Sequence, residues 1–146
     1  MMTKRGRIVG VIVATAALTI PAVADANRIT HRGSVQGDQR SKVQFKVTKK
    51  KGDLVKVTGL QFRRVDVTCD DGAVGEVTAR IPDFPLKGKK FTRKGPLRGP
   101  GINNGTLRAF GKLRSGGRKA RGNVRIAFKS NSGAGCGTGK LNWKTS

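Results

Sequence analysis

Lys42-Val43-Gln44-Phe45-Lys46-Val47-Thr48-Lys49 alternates polar and apolar residues with a period of two, and Lys50-Lys51-Gly52-Asp53 after it carries turn chemistry. One apolar face on an extended segment predicts a half-buried antiparallel strand that ends in a hairpin. The next segment, Leu54 to Cys69, keeps the alternation but changes phase twice. Val55 and Val57 share one face, Leu60 and Phe62 take it over after Gly59, and Val65, Val67 and Cys69 return after Arg63-Arg64. A slip of one residue turns every side chain to the other face, so each change predicts a bulge or a corner, in one bent strand or in two strands. Asp70-Asp71-Gly72 predicts a turn.

The pattern continues to the C-terminus. Val77, Ala79 and Ile81 line one face of a strand closed by Pro82 and Pro85, and Phe91 anchors a short strand from Lys89 to Arg93. Residues 94–105, with Pro96, Pro100 and four glycines, predict the longest loop. Within it Asn103-Asn104-Gly105 reads as a turn, although Asn104-Gly105-Thr106 also satisfies the glycosylation sequon. Leu107, Ala109, Gly111 and Leu113 share a face, as do Ala120, Gly122, Val124, Ile126 and Phe128 across a Ser115-Gly116-Gly117 turn. A last strand, Lys140 to Lys144, points Leu141 and Trp143 inward, Trp143 as a core residue. With Arg28 to Val35 at the start, the count is about eight strands and no amphipathic helix, which predicts an all-β fold, an antiparallel β-sandwich or barrel.

Before that domain stands a leader. Lys4, Arg5 and Arg7 precede an apolar run from Ile8 to Ile20, then Pro21 and the small residues Ala22, Ala24 and Ala26. This is the pattern of a secretory signal peptide over residues 1–26, cut after Ala24 or Ala26, with residues 27–146 as one mature domain. The apolar run is shorter than the roughly 20 residues a membrane span needs, so no span is expected after cleavage. The expected location is outside the cytoplasm, secreted or in the cell envelope. Cys69 and Cys136 are the only cysteines, so one pairing exists, and an oxidising compartment favours a disulfide between them. Closing a loop of about 68 residues is worth roughly 4 kcal/mol in the chain-entropy model.

Charge is the other decisive property. Removing Lys4, Arg5 and Arg7 from the formal net charge of +23 leaves +20. All eight acids lie between Asp25 and Asp83, and Phe84 to Ser146 holds sixteen lysines and arginines and no acid. Arg108, Lys112 and Arg114 on one late strand and Arg121, Arg125 and Lys129 on the next point away from the apolar face, with Phe110 among them. Antiparallel pairing of the two strands predicts a basic patch with an aromatic platform, suited to a polyanion such as an anionic envelope polymer or extracellular nucleic acid.

Other chemistry is weak. His31 is the only histidine, so no activating base stands in sequence beside either cysteine. Asp66, Asp70, Asp71 and Glu76 match no calcium-loop spacing, and local pairing with Arg63 and Arg64 is their expected use. Gly133 to Lys140 lacks the second glycine and the hydroxyl residue of a phosphate-binding loop, and reads as a flexible connection. No cofactor, no metal and no enzymatic activity are expected.

The Cys69-Asp70-Asp71-Gly72 turn after an alternating strand, with Gly135-Cys136 and then Trp143 near the end, resembles the uncharacterised small exported one-disulfide β proteins of high-GC actinobacteria. The resemblance implies an all-β extracytoplasmic domain and supplies no activity or site residues. Together these readings predict a secreted or cell-envelope-associated, non-catalytic β domain that contacts anionic polymers through its basic C-terminal half. The alternative is a carbohydrate- or small-ligand-binding β module that uses loop 94–105 and Trp143.

Overall fold

A computed structural model describes residues 26–36 and 38–146, and apart from Ala26 the expected signal peptide lies outside the described residues. The strands are β1 (Ala26–Val35), β2 (Asp38–Lys50), β3 (Asp53–Cys69), β4 (Val74–Arg80), β5 (Phe84–Pro85), β6 (Lys90–Gly99), β7 (Ile102–Arg114), β8 (Lys119–Lys129) and β9 (Gly135–Thr145). All pair antiparallel in a single sheet of order β4-β3-β2-β1-β9-β8-β7-β6, with β5 beside β3. A further pairing of β3 with β9 closes β1, β2, β3 and β9 into a small barrel. The all-β expectation therefore resolves to a sheet of nine strands, the two-residue β5 counted, that includes a small barrel.

The two phase changes in Leu54 to Cys69 are bulges in one continuous strand. Register against β2 shifts between Gln44 and Lys46, opposite Gly59, which has φ +63°. Register against β4 shifts between Phe62 and Val65, where Arg64 has φ +56°. Both bulged amides are satisfied: Gly59 N–H donates to Asp83 Oδ1 and Arg64 N–H to Thr78 Oγ1. Of the four acids expected to pair locally, Glu76 pairs with Arg40 and approaches Arg64, while Asp71 accepts a hydrogen bond from the Ala73 N–H within its turn. The bends carry the end of β3 to β9, where Thr68 opposes Gly137 and Cys69 opposes Cys136 in a disulfide.

Three expectations need correction. Residues 94–105 are not a loop: β6 runs to Gly99, β7 starts at Ile102, and the turn between them is Pro100-Gly101. Pro96 is tolerated because β6 is an edge strand, where a missing N–H breaks no ladder bond. Asn103-Asn104-Gly105 is likewise strand, and a Cβ at Gly105 would collide with the Leu97 backbone and the Ile102 side chain, so this glycine serves close approach rather than a turn. The connection after Gly133 is short, since β9 begins at Gly135 and runs to Thr145, well beyond the expected Lys140 to Lys144.

The core joins the barrel to the outer strands through aromatic rings. Trp143 is buried and lies edge-on to Phe45 and Phe62, with ring centroids 5.8 and 6.2 Å away, and Phe91 of β6 packs against Phe45, Phe84 and Trp143. His31 belongs to this core. It is fully buried, stacked on Phe45 at 4.5 Å, and held at both ring nitrogens. Gly117 O can only accept, so Nε2 carries the proton and donates to it at 2.7 Å, while Thr145 Oγ donates to Nδ1 at 2.8 Å.

Burial lowers the pKa of His31 from the usual 6.5, against a smaller opposing effect of the Gly117 carbonyl. The unfolded chain then binds this proton more readily than the folded one, so stability is full above about pH 6.5 and is lost as pH falls below it. The melting temperature of the oxidised domain is expected to hold from pH 8 to 7 and to decline from about pH 6.5 to 5. A His31→Gln variant should be less stable at pH 7 yet lack that decline, and a decline of equal size in both proteins contradicts the assignment.

Candidate polyanion-binding face

The outer face of β6, β7, β8 and β9 follows from alternation and register together. Inward positions are taken by Phe91, by Leu107, Ala109 and Leu113, by Ala120, Val124 and Ile126, and by Trp143. The residues between them must point out. Register then sets Lys90, Lys112, Arg121 and Lys144 side by side across four strands, and Lys94, Arg108, Arg125 and Lys140 in a second row. Between the rows runs a third, uncharged one: Thr92, Phe110, Asn123 and Asn142. Standard strand dimensions make each row about 14 Å long and set the two cationic rows about 13 Å apart.

Of the six expected residues, Arg108, Lys112, Arg121 and Arg125 form the centre of this array. Arg114, opposite Lys119, and Lys129, opposite Asn103 and Gly135, stand at opposite margins of it. Lys90 and Lys94 on β6 and Lys140 and Lys144 on β9 complete the rows and were not among the expected residues. A signal for them exists in the chain. Each of the four strands repeats a five-residue unit with a cation at both ends and an uncharged residue at its centre: Lys90-Thr92-Lys94, Arg108-Phe110-Lys112, Arg121-Asn123-Arg125 and Lys140-Asn142-Lys144.

The rest of the barrel is also basic but is arranged differently. On β1, β2 and β3 the outward rows Arg28-Thr48-Lys56, Thr30-Lys46-Thr58 and Arg32-Gln44-Gln61 set cations against neutral partners, and one pair, Lys42 opposite Arg63, brings like charges together. Like charges directly opposite destabilise a sheet. The β6–β9 face accepts that cost in three successive cross-strand pairs along each row and again where Arg114 opposes Lys119, with no carboxylate among its residues to offset it.

Two hollows lie in this face and share Asn123. One, of about 620 Å³, is lined by Phe110, Asn123 and Asn142 together with Lys112, Arg121 and Lys144. The other, of about 450 Å³, includes Lys94, Arg108, Arg125 and Lys140 around its wall. Phe110 is half-buried, and the side-chain amides of Asn123 and Asn142 have no partner among the described residues. Gln36, which also lines the first hollow, holds the Asn142 backbone: its N–H donates to Asn142 O at 2.7 Å, and the Asn142 N–H donates to Gln36 Oε1 at 2.9 Å. Trp143 also lines the first hollow but is only 2% exposed. Among the described residues no group of three or more His, Cys, Asp or Glu gathers to hold a metal ion.

No family model matches this chain, and neither a curated protein nor a solved structure does.

Self-repulsion in the array makes a direct prediction. Arg125→Gln removes a cation that faces one on either side, Arg108 and Lys140, and should stabilise the domain by about 0.5 kcal/mol at low salt, a gain that shrinks as salt rises. Chemical denaturation at 20 mM and 500 mM salt checks this. A loss of stability at low salt would mean that Arg125 contributes more by packing than it costs by charge.

Proposed function

We propose that this chain is an exported, non-catalytic β domain, secreted or retained in the cell envelope, that holds anionic polymers on the outer face of β6–β9. The observation that carries the reading is the pair of four-cation rows, an array that costs fold stability and that an anionic partner would relieve. Backbone anions of a polymer gain counterion-release free energy from such a surface whatever their sequence. An anionic envelope polymer and extracellular nucleic acid both meet that requirement.

Export is supported by the leader over residues 1–26 and by the Cys69–Cys136 disulfide, which persists in oxidising compartments. The non-catalytic reading is supported by the use already made of the reactive side chains. His31 is buried and bonded at both nitrogens, and both cysteines are in the disulfide. The alternative of a glycan-binding module would have to work through residues 94–105 as strand rather than loop and through a Trp143 that is 2% exposed.

Binding of inorganic polyphosphate to the oxidised domain, followed at several salt concentrations, tests the proposal. Arg108→Gln, Lys112→Gln, Arg121→Gln and Arg125→Gln together should weaken binding at least about tenfold at low salt and flatten its salt dependence. Replacing Arg28, Arg32, Lys46 and Lys56 by glutamine removes the same charge from the opposite side and should cost far less. Equal losses in the two quadruple variants would reduce the effect to net charge and remove the face from the account.

A further inference from the structure

We infer that the face is built for single-stranded nucleic acid, with a base-holding hollow beside a phosphate-holding one. This rests on the polyanion reading and deepens it. The two hollows that share Asn123 differ in chemistry. The first is edged by Lys112, Arg121 and Lys144 and adds the half-buried ring of Phe110 and the unpartnered amides of Asn123 and Asn142. The second is walled by Lys94, Arg108, Arg125 and Lys140 and has no aromatic residue.

A ligand that uses both hollows alternates a flat, hydrogen-bonding group with an anion at a separation of several ångströms. A single-stranded nucleic acid has that repeat: bases stack on aromatic rings and offer donors and acceptors to amides, while the phosphodiester chain follows the cations. A chain of phosphate alone leaves Phe110, Asn123 and Asn142 without a role. A neutral glycan leaves eight cations without one. Duplex ends its candidacy at the ring, since paired bases keep their faces stacked on each other and cannot lie on Phe110.

The four repeats of the five-residue unit support the same ligand. In each strand the centre of the unit is uncharged and its two ends are cations, so the uncharged stripe runs across the sheet with a cationic row on either side. A strand laid along the stripe meets the ring and the amides at its bases, and meets cations at its backbone whichever way the backbone faces. Phe110 sits within this stripe, next to Asn123 on β8 and Thr92 on β6.

The test uses the oxidised mature domain and two probes, a labelled oligothymidylate of about a dozen nucleotides and inorganic polyphosphate of matched charge. Phe110→Ala should weaken oligothymidylate binding about fivefold or more and leave polyphosphate binding within about twofold, and Phe110→Trp should restore it. Arg108→Gln with Arg125→Gln should weaken both probes. Retained polyphosphate binding by Phe110→Ala also reports that the face is still folded. If Phe110→Ala leaves oligothymidylate binding unchanged, or lowers both probes equally, the base-holding hollow is overturned while the polyanion reading stands. If neither probe binds the unaltered domain at low salt, that reading fails as well.

Discussion

The closure of β3 onto β9 is the constraint on which the rest of this structure depends. β3 pairs with β2 on one side, with β4 and β5 on the other, and at its end with β9, and a straight strand could not meet all of them. Three register shifts bend it, at Val55, Gly59 and Arg64, and the Gly59 and Arg64 amides find side-chain acceptors in Asp83 and Thr78. The Cys69–Cys136 disulfide holds β3 and β9 at their point of contact. Since β9 is also the strand on which β8 pairs along its whole length, the barrel fixes where the outer sheet begins and which of its faces meets the core.

That division between faces produces the charged array. Inside, Phe91 and Trp143 reach across to Phe45 and Phe62. Outside, the same register lines up residues that are unrelated in sequence position. Lys90 and Lys144 are at opposite ends of the late half of the chain, yet they end one row. The core thus sets the geometry of the cationic face, and Trp143 also lines its first hollow. The buried His31 ties the same system together, because its two hydrogen bonds join β1 to the β7–β8 turn and to the end of β9.

Much of this architecture was legible in the chain because strand alternation is a local signal. The strands around Val43 to Val47, Leu107 to Leu113 and Ala120 to Phe128 stand where their period of two places them, and both phase slips in β3 became bulges. What failed was the reading of composition. Pro96, Pro100 and the glycines of residues 94–105 suggested a loop, but an edge strand tolerates proline and a crowded sheet needs glycine, and neither condition is visible before the sheet order is known. For the candidate face, the four central residues came from one hairpin, whose pairing is local. Lys90, Lys94, Lys140 and Lys144 join only through the pairing of β6 with β7 and of β8 with β9, although the repeated cation-centred-on-uncharged spacing was present in all four strands. The burial of His31 had no local signal, since its partners Gly117 and Thr145 are 86 and 114 residues away.

The central claim is that one face of the sheet receives the polymer, and backbone amide chemical shifts test it most directly. Titration of the isotope-labelled oxidised domain with a short single-stranded oligonucleotide should move the amides of residues 90–94, 108–112, 121–125 and 140–144, and leave those of β1, β2 and the first half of β3 nearly still. Shifts spread evenly over every lysine- and arginine-bearing strand, or concentrated on β1 and β2, would contradict the account.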